Sequence, residues 1–210
     1  KLSDDLLALD KAYEATILFG GSTTTQDIEG KITLQVNTEI KIDKSNLEKI
    51  LSGFMGEQEQ YVSPFSSVKV NGKKLRKVLR DDSYSYKIVD TKDGERIIDL
   101  THKSDSKYNY KILIPKKIIK IFDIKMLDFG VKNEVETLIP GINLASTLPF
   151  CEVYVKCSKG TYIRQLAEDI GAKLNLPSVL IKLDRVEIGK WTKENTLELK
   201  DLENILTKGK

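Results

Sequence analysis

The chain has 210 residues, of which 40% are hydrophobic and 31% are charged, and its formal net charge at pH 7 is +3. This composition predicts a globular protein with one sizeable core or two small ones. It excludes a membrane helix, which needs about 20 consecutive apolar residues. The slight positive charge permits a polyanionic partner without requiring one.

The few cysteines and the one histidine exclude further classes of protein. Cys151 and Cys157 are too few for a disulfide framework, and they indicate a reducing compartment, either the cytoplasm or an organelle. With His102 they form no metal-ligand cluster of recognisable spacing. A Ser-His-Asp triad would have to recruit that histidine from a charged segment. We therefore expect neither a metal site nor such a triad.

Two strands are predicted in the first 40 residues. Apolar residues alternate along residues 13–19 and again along 32–36, which is the pattern of half-buried strands. The polar stretch 23–30 between them is predicted to be a loop, which carries either function or simple turns. The alternation alone places Tyr13 on the inward face of the first strand, as a core residue.

A short helix and a basic cluster follow. Ser45 and Glu48 form a predicted capping box, and apolar residues continue at helical spacing to Phe54. A second short helix is predicted over residues 75–80. The cations on or near it are either a solvated helix face or a phosphate-contacting patch. They are Lys73, Lys74, Arg76, Lys77 and Arg80.

The middle of the chain predicts more strands than helices. Residues 81–114 are rich in charge and poor in apolar residues, which predicts a polar, mobile insertion that is extended in part at 96–100. Further strands are predicted over 116–129, 151–157 and 180–189. Strands outnumber helices, and the helices fall between groups of strands. We therefore predict an α+β fold with a mixed, largely antiparallel central sheet flanked by helices.

The clearest element is an amphipathic helix after Gly160, with apolar residues at i, i+3, i+4, i+7 and i+11 from Ile163. Thr161 is its predicted N-cap. Arg164 then lies in the first turn, where the helix dipole disfavours a cation. Either Arg164 points into solvent, or it serves an anion that the N–H groups of the turn at 158–161 also favour.

Residues 158–164 read Ser-Lys-Gly-Thr-Tyr-Ile-Arg and are followed by Asp-Ile-Gly at 169–171. This motif is the most specific of several along the chain that resemble the TruB family of tRNA pseudouridine synthases. The resemblance covers roughly residues 1–80 and 115–200 and leaves the insertion unmatched. Its other segments are Lys11-Ala12-Tyr13, residues 20–30 with Thr23, Thr25 and Asp27, residues 60–69, and Leu183-Asp184-Arg185 through Gly189.

The resemblance implies the pseudouridine synthase catalytic fold and a monomeric isomerase without a metal or organic cofactor. The implied reaction converts uridine to pseudouridine at position 55, in the T-arm of tRNA. In this family a tyrosine matched by Tyr13 stacks on the target base and can act as a base, and an arginine matched by Arg164 pairs with a catalytic aspartate. Base flipping suits such a site, because an extruded base needs a surface that replaces its lost stacking. The implied substrate-binding residues are Tyr13, Tyr162, Leu183, Lys159 and Thr161.

The chain departs from the family pattern at several points. It lacks the Gly-Thr-Leu-Asp type of motif that carries the nucleophilic aspartate. We therefore expect residues 1–210 to be a partial, inactive catalytic domain, with the nucleophile and the partner of Arg164 upstream of Lys1. The family's C-terminal RNA-binding domain is also expected to be absent. Thr24, Val62 and Arg76 stand where the family usually has Asp, Pro and Tyr.

Two other functions stay open on the sequence alone. One is a non-catalytic RNA-binding or RNA-folding protein on the same scaffold. The other is a guide-RNA-dependent rRNA pseudouridine synthase of the related eukaryotic and archaeal branch.

Overall fold

The computed structural model describes residues 2–70, 72–105, 107, 109–133, 135, 139, 147–198 and 200–202. The helices of this part of the chain are α1 (Leu2–Ala8), α2 (Lys44–Ser52), α3 (Leu75–Leu79), α4 (Ile163–Lys173) and a 3-10 turn (Lys193–Asn195). The first strands are β1 (Lys11–Phe19), β2 (Gly21–Thr23), β3 (Ile32–Gln35), β4 (Gly56–Tyr61), β5 (Lys69–Val70) and β6 (Lys73–Lys74). The later strands are β7 (Tyr84–Asp90), β8 (Arg96–His102), β9 (Asn109–Leu113), β10 (Lys116–Asn133), β11 (Thr147–Cys157), β12 (Ser178–Ile188) and β13 (Trp191–Thr192).

A six-stranded sheet in the order β13-β12-β1-β11-β10-β4 forms the centre of the protein. Every neighbouring pair in this sheet is antiparallel. One of its two middle strands is β1, which pairs with β11 on one side and β12 on the other. Ala15 therefore lies opposite both Val153 and Leu183. The predicted α+β fold with a largely antiparallel central sheet is confirmed.

The main core lies between this sheet and the two longer helices, α2 and α4. Residues opposite each other in an antiparallel pair point to the same face, so the alternation along β1 and β11 directs one set of apolar side chains towards the helices. The helices close this layer because their apolar stripes face the sheet. Members of this core include Ala15, Ile17, Phe19, Leu47, Leu51, Val153, Val155, Ile163, Leu166, Ile170 and Leu180.

The segment predicted to be a mobile insertion forms a three-stranded antiparallel sheet, β7-β8-β9. Its inner face buries Ile98, Leu100 and Ile112 against the apolar face of α3. The extended stretch predicted at 96–100 is confirmed as part of β8, whereas β7 and β9 on either side of it were not predicted. The apolar residues of the segment are few, but they alternate with polar ones, and one buried face is enough to fix a strand register.

Both predicted helix starts differ from the structure. The N-cap of α2 is Asp43, whose carboxylate accepts a hydrogen bond from the Asn46 backbone N–H at 2.7 Å, while Ser45 donates to that same carboxylate. The N-cap of α4 is Tyr162, which makes no side-chain capping bond. The Thr161 hydroxyl instead donates to the Ser158 carbonyl, at 2.9 Å. In both places the side chain of the expected capping residue is bound to another polar group, the Asp43 carboxylate for Ser45 and the Ser158 carbonyl for Thr161.

Cys151 and Cys157 are buried free thiols, in agreement with the expectation of no disulfide framework. Burial raises the pKa of Cys151 to about 12 and that of Cys157 to about 11, so both thiols stay protonated at neutral pH. None of the helices in the described part of the chain has the length and apolar character needed to cross a membrane.

Candidate functional site

An ion pair between Arg164 and Asp27 marks the candidate site. The Nη1 atom of Arg164 lies 2.7 Å from Oδ2 of Asp27, and the two side chains are 38% and 18% exposed. Arg164 is the second residue of α4, and the adjacent carboxylate offsets the unfavourable position of a cation at a helix start. Arg164 thus binds an anion, which was one of the two interpretations of its position in the sequence. Within the described residues this anion is Asp27, and a catalytic aspartate upstream of Lys1 stays a prediction.

The loop between β2 and β3 holds the Asp27 carboxylate in a fixed orientation. Its Oδ1 atom accepts hydrogen bonds from the Thr25 hydroxyl at 2.5 Å and the Glu29 backbone N–H at 3.2 Å. The Thr23 hydroxyl donates to the Asp27 carbonyl, at 2.6 Å. A side chain at Gly30 would bring its Cβ to 2.6 Å from the Thr25 nitrogen, so only glycine lets the loop close this tightly. Oδ2 is left to face Arg164.

The same loop is attached to strand β12. Asp27 and Leu180 form an isolated parallel bridge, and the Leu180 N–H donates to the Gln26 carbonyl at 3.1 Å. An open cleft of about 220 Å³ lies between the loop, the start of α4 and β12. Asp27, Arg164 and Leu183 line it together with Ile28, Glu29, Leu180, Ile181 and Lys182. Among the described residues, the Nε and Nη2 atoms of Arg164 have no hydrogen-bond partner, so they are available to a group in the cleft.

Beside the ion pair, Gln26 occupies a buried polar network. It is 4% exposed and has a positive φ of 66°. Its Nε2 donates to Gln165 Oε1 at 2.8 Å and to Glu168 Oε2 at 2.6 Å, and its Oε1 accepts from the Ser63 hydroxyl at 2.7 Å. Every polar atom of the Gln26 amide group is thus bonded, which anchors the residue before Asp27 to α4.

Charged groups extend this network to the three-stranded sheet. Nη1 of Arg96, in β8, lies 3.9 Å from Oε2 of Glu168, and Arg96 also pairs with Asp90. Asp169 accepts a hydrogen bond from Gln165 Nε2 at 2.9 Å. Burial raises the pKa of both the Glu168 and the Asp169 carboxyl groups, although Arg96 acts in the opposite direction on each. The network therefore connects the three-stranded sheet to the helix that carries Arg164.

Tyr13 lies on the helix face of the sheet, the face that also carries Leu183. Its ring packs at the edge of the main core, and the Arg185 guanidinium lies 5.7 Å from the ring centroid. Burial raises the pKa of the Tyr13 hydroxyl, and Arg185 lowers it to a lesser extent. Tyr13 is partly buried. This position agrees with its predicted place on the inward face of β1 and leaves part of the ring accessible.

The turn before α4 is tied to neighbouring strands. The Ser158 hydroxyl accepts from the Lys120 N–H at 2.8 Å, and Gly160 has a φ of +82°, which favours glycine. The Tyr162 N–H donates to the Gln60 side chain at 2.8 Å, and the Tyr162 ring packs against the core beneath the three-stranded sheet. Lys159 is exposed.

The structure thus brings together only part of the predicted site. Arg164 and Leu183 line the cleft, whereas Tyr13, Tyr162, Lys159 and Thr161 are not among its lining residues. Sequence reasoning missed the network of Gln26, Gln165 and Glu168. A signal was present, because Gln165, Glu168 and Asp169 follow helical spacing and form a polar stripe beside the apolar one.

Comparisons with known proteins relate this chain to one family. The model of the TruB family pseudouridylate synthase N-terminal domain matches residues 1–99, so the expectation that the family leaves the insertion unmatched is wrong for residues 81–99. The tRNA pseudouridine synthase B of Staphylococcus aureus strain JH9 is 33% identical, over 98% of this chain and 55% of the relative, and the protein of strain Newman has the same identity and coverage. The chain spans about half the length of these curated relatives. These matches confirm the resemblance to the TruB family of pseudouridylate synthases that the motifs predicted.

Two solved structures share weaker similarity. A Cbf5-Nop10-Gar1 complex matches with 15% sequence identity and a TM-score of 0.49, over 95% of this chain and 37% of the other. An H/ACA RNP bound to a substrate RNA containing 2'-deoxyuridine matches with 15% identity and a TM-score of 0.47, over 96% of this chain and 35% of the other. The family assignment therefore rests on the sequence matches.

Proposed function

We propose that this protein takes part in converting uridine to pseudouridine in the T-arm of tRNA, at position 55. The observation that carries the proposal is the cleft that is lined by Arg164, held by Asp27, and by the apolar side chain of Leu183, in a chain similar to the TruB family. Relatives that are 33% identical are named tRNA pseudouridine synthase B, which supports tRNA over the guide-dependent alternative.

The chemistry is an isomerisation in which atoms and electrons balance. The bond between C1' of ribose and N1 of uracil breaks, the base rotates, and a bond forms between C1' and C5. The proton on C5 is lost, and a proton is gained at N1. Since the uridine must leave its stack to react, the enzyme needs an apolar surface for the base and a fixed polar group beside it.

The residues of the cleft match these requirements. Leu183 is 42% exposed and offers an apolar surface at the mouth of the cleft. Arg164 offers the donors at Nε and Nη2 that Asp27 leaves unused, and a guanidinium can hold a carboxylate or a phosphate through two parallel hydrogen bonds. In this proposal Tyr13 supports the base from the neighbouring strand, while Tyr162, Lys159 and Thr161 bind the RNA around it.

Tritium release from uridine C5 tests the proposal. The complete protein is incubated with a T-arm RNA that carries tritium at that carbon, and the product nucleosides are separated by chromatography. We expect tritium release matched by pseudouridine, without any guide RNA. An RNA with cytidine at the target position is the control. Binding of the T-arm without conversion would instead favour the non-catalytic alternative.

A further inference from the structure

A second cavity lies outside the cleft and shares no lining residue with it. Its volume is about 440 Å³, and it lies between the β5–β6 hairpin, α3 and the three-stranded sheet. This volume is within the range of pockets that hold small organic ligands. Four lysines line it, which are Lys69, Lys73, Lys74 and Lys77.

The lysines of this cavity are not neutralised by nearby acids. Among the described residues, none of the four forms an ion pair within 4.0 Å. Asp81 is the carboxylate that lines the cavity, and a hydrogen bond from the Ser83 backbone N–H is the main cause of its lowered pKa, with a smaller contribution from Lys73. Four cations around one carboxylate make a concave surface that attracts anions.

One wall of the cavity is aromatic. Tyr84 and Tyr110 line it, and their rings meet edge to face with centroids 5.5 Å apart and an interplanar angle of 84°. The His102 ring also contacts Tyr84 edge to face, with centroids 5.0 Å apart. This support fixes the Tyr84 ring, while Tyr110 is 38% exposed. Aromatic rings beside cations are the arrangement that binds single-stranded nucleic acid, because bases stack on the rings and phosphates meet the cations.

We propose that this cavity binds an unpaired nucleotide of the RNA substrate, away from the uridine that is isomerised. The base stacks on Tyr110, and the flanking phosphates contact Lys73, Lys74 and Lys77. The assignment to RNA rests on the proposed function, since the same chemistry would accept a free nucleotide. Tyr84 and Tyr110 belong to β7 and β9, so this role assigns a function to the three-stranded sheet beside the lysines.

Salt-dependent binding of the 210-residue chain to a T-arm RNA with a single-stranded extension tests the proposal. The double variant Lys73→Ala/Lys74→Ala should reduce the slope of log K against log salt by about 1.4, because each phosphate contact on a single strand contributes about 0.7. Tyr110→Ala should weaken binding about tenfold, whereas Tyr110→Phe should bind as the wild type, since phenylalanine keeps the stacking surface. The matched control is Lys87→Ala/Lys92→Ala, on exposed lysines of β7 and of the turn that follows it, outside the cavity.

The outcomes separate this proposal from the proposed function. Equal losses of slope in the cavity variant and the matched control would overturn the cavity as a site, while leaving uridine conversion untouched. Loss of uridine monophosphate binding in the cavity variant with unchanged RNA binding would overturn RNA as its ligand. If the complete protein binds the extended RNA through the cavity but releases no tritium from uridine, the cavity stands and the proposed function fails.

Discussion

Arg164 and Asp27 are 137 positions apart in the sequence, yet their side chains form an ion pair of 2.7 Å at the mouth of the cleft. Asp27 binds Nη1 of the guanidinium, and Arg164 lines the cleft in which we place the substrate. The pair therefore joins the loop between β2 and β3 to the start of α4 at the point where the proposed chemistry takes place.

Replacing Arg164 by alanine in the complete protein should abolish uridine conversion with little effect on folding. An ion pair this exposed contributes at most about 1 kcal/mol to stability. Turnover and the free energy of unfolding are measured in parallel. Arg164→Lys keeps the charge but not the planar fork, and we expect it to recover only a small part of the activity. Wild-type turnover in Arg164→Ala would contradict the role given to this residue.

Replacing Gln26 by alanine should destabilise the protein by about 1–3 kcal/mol, because partners of its amide in the buried network lose their hydrogen bonds. Urea denaturation measures the effect. Glu29→Ala, at an exposed position in the same loop, is the matched control and should change stability by less than about 0.5 kcal/mol. Equal effects of the two substitutions would show that the network does not hold the loop.

The stability of the protein should depend on pH through Glu168, whose pKa is raised above its ordinary value of 4.5 by burial. The folded state holds this proton more tightly than the unfolded state does. The stabilising contribution is therefore complete below about pH 4 and is lost as pH rises through the folded-state pKa. Asp169 acts in the same direction, while Arg96 opposes both shifts.

The free energy of unfolding, measured from pH 4 upwards, checks this dependence. Glu168→Gln removes the titrating group but keeps a hydrogen-bond acceptor for Gln26. We expect the variant to lose less stability than the wild type as pH rises. A steeper loss in the variant would show that the charged form of Glu168 is the one that the fold stabilises.

Replacing Gly30 by alanine should lower turnover by disturbing the loop that holds Asp27. The added Cβ would collide with the Thr25 backbone, which cannot move without displacing the hydrogen bonds to the Asp27 carboxylate. Overpacking of this kind typically costs about 1–3 kcal/mol. Lys31→Ala, at the exposed neighbouring position, is the control and should leave turnover and stability close to those of the wild type.

The sequence by itself determined the fold class, the family resemblance and two residues of the proposed site, Arg164 and Leu183. Alternation along β1 and the helical spacing from Ile163 report local geometry, because each follows from the repeat of one element. The motif around Arg164 and the segment that contains Leu183 could be recognised for a similar reason, because each is a run of adjacent residues.

Only the tertiary structure decided which groups meet. Asp27 reaches Arg164 because its loop is bridged to Leu180, and Gln26 reaches Glu168 because α4 packs on the same sheet. Strands β7, β8 and β9 form a sheet because α3 covers its apolar face. These contacts join residues that lie far apart in the sequence, and no local pattern records them, since their free energy comes from burial that exists only once the chain has folded.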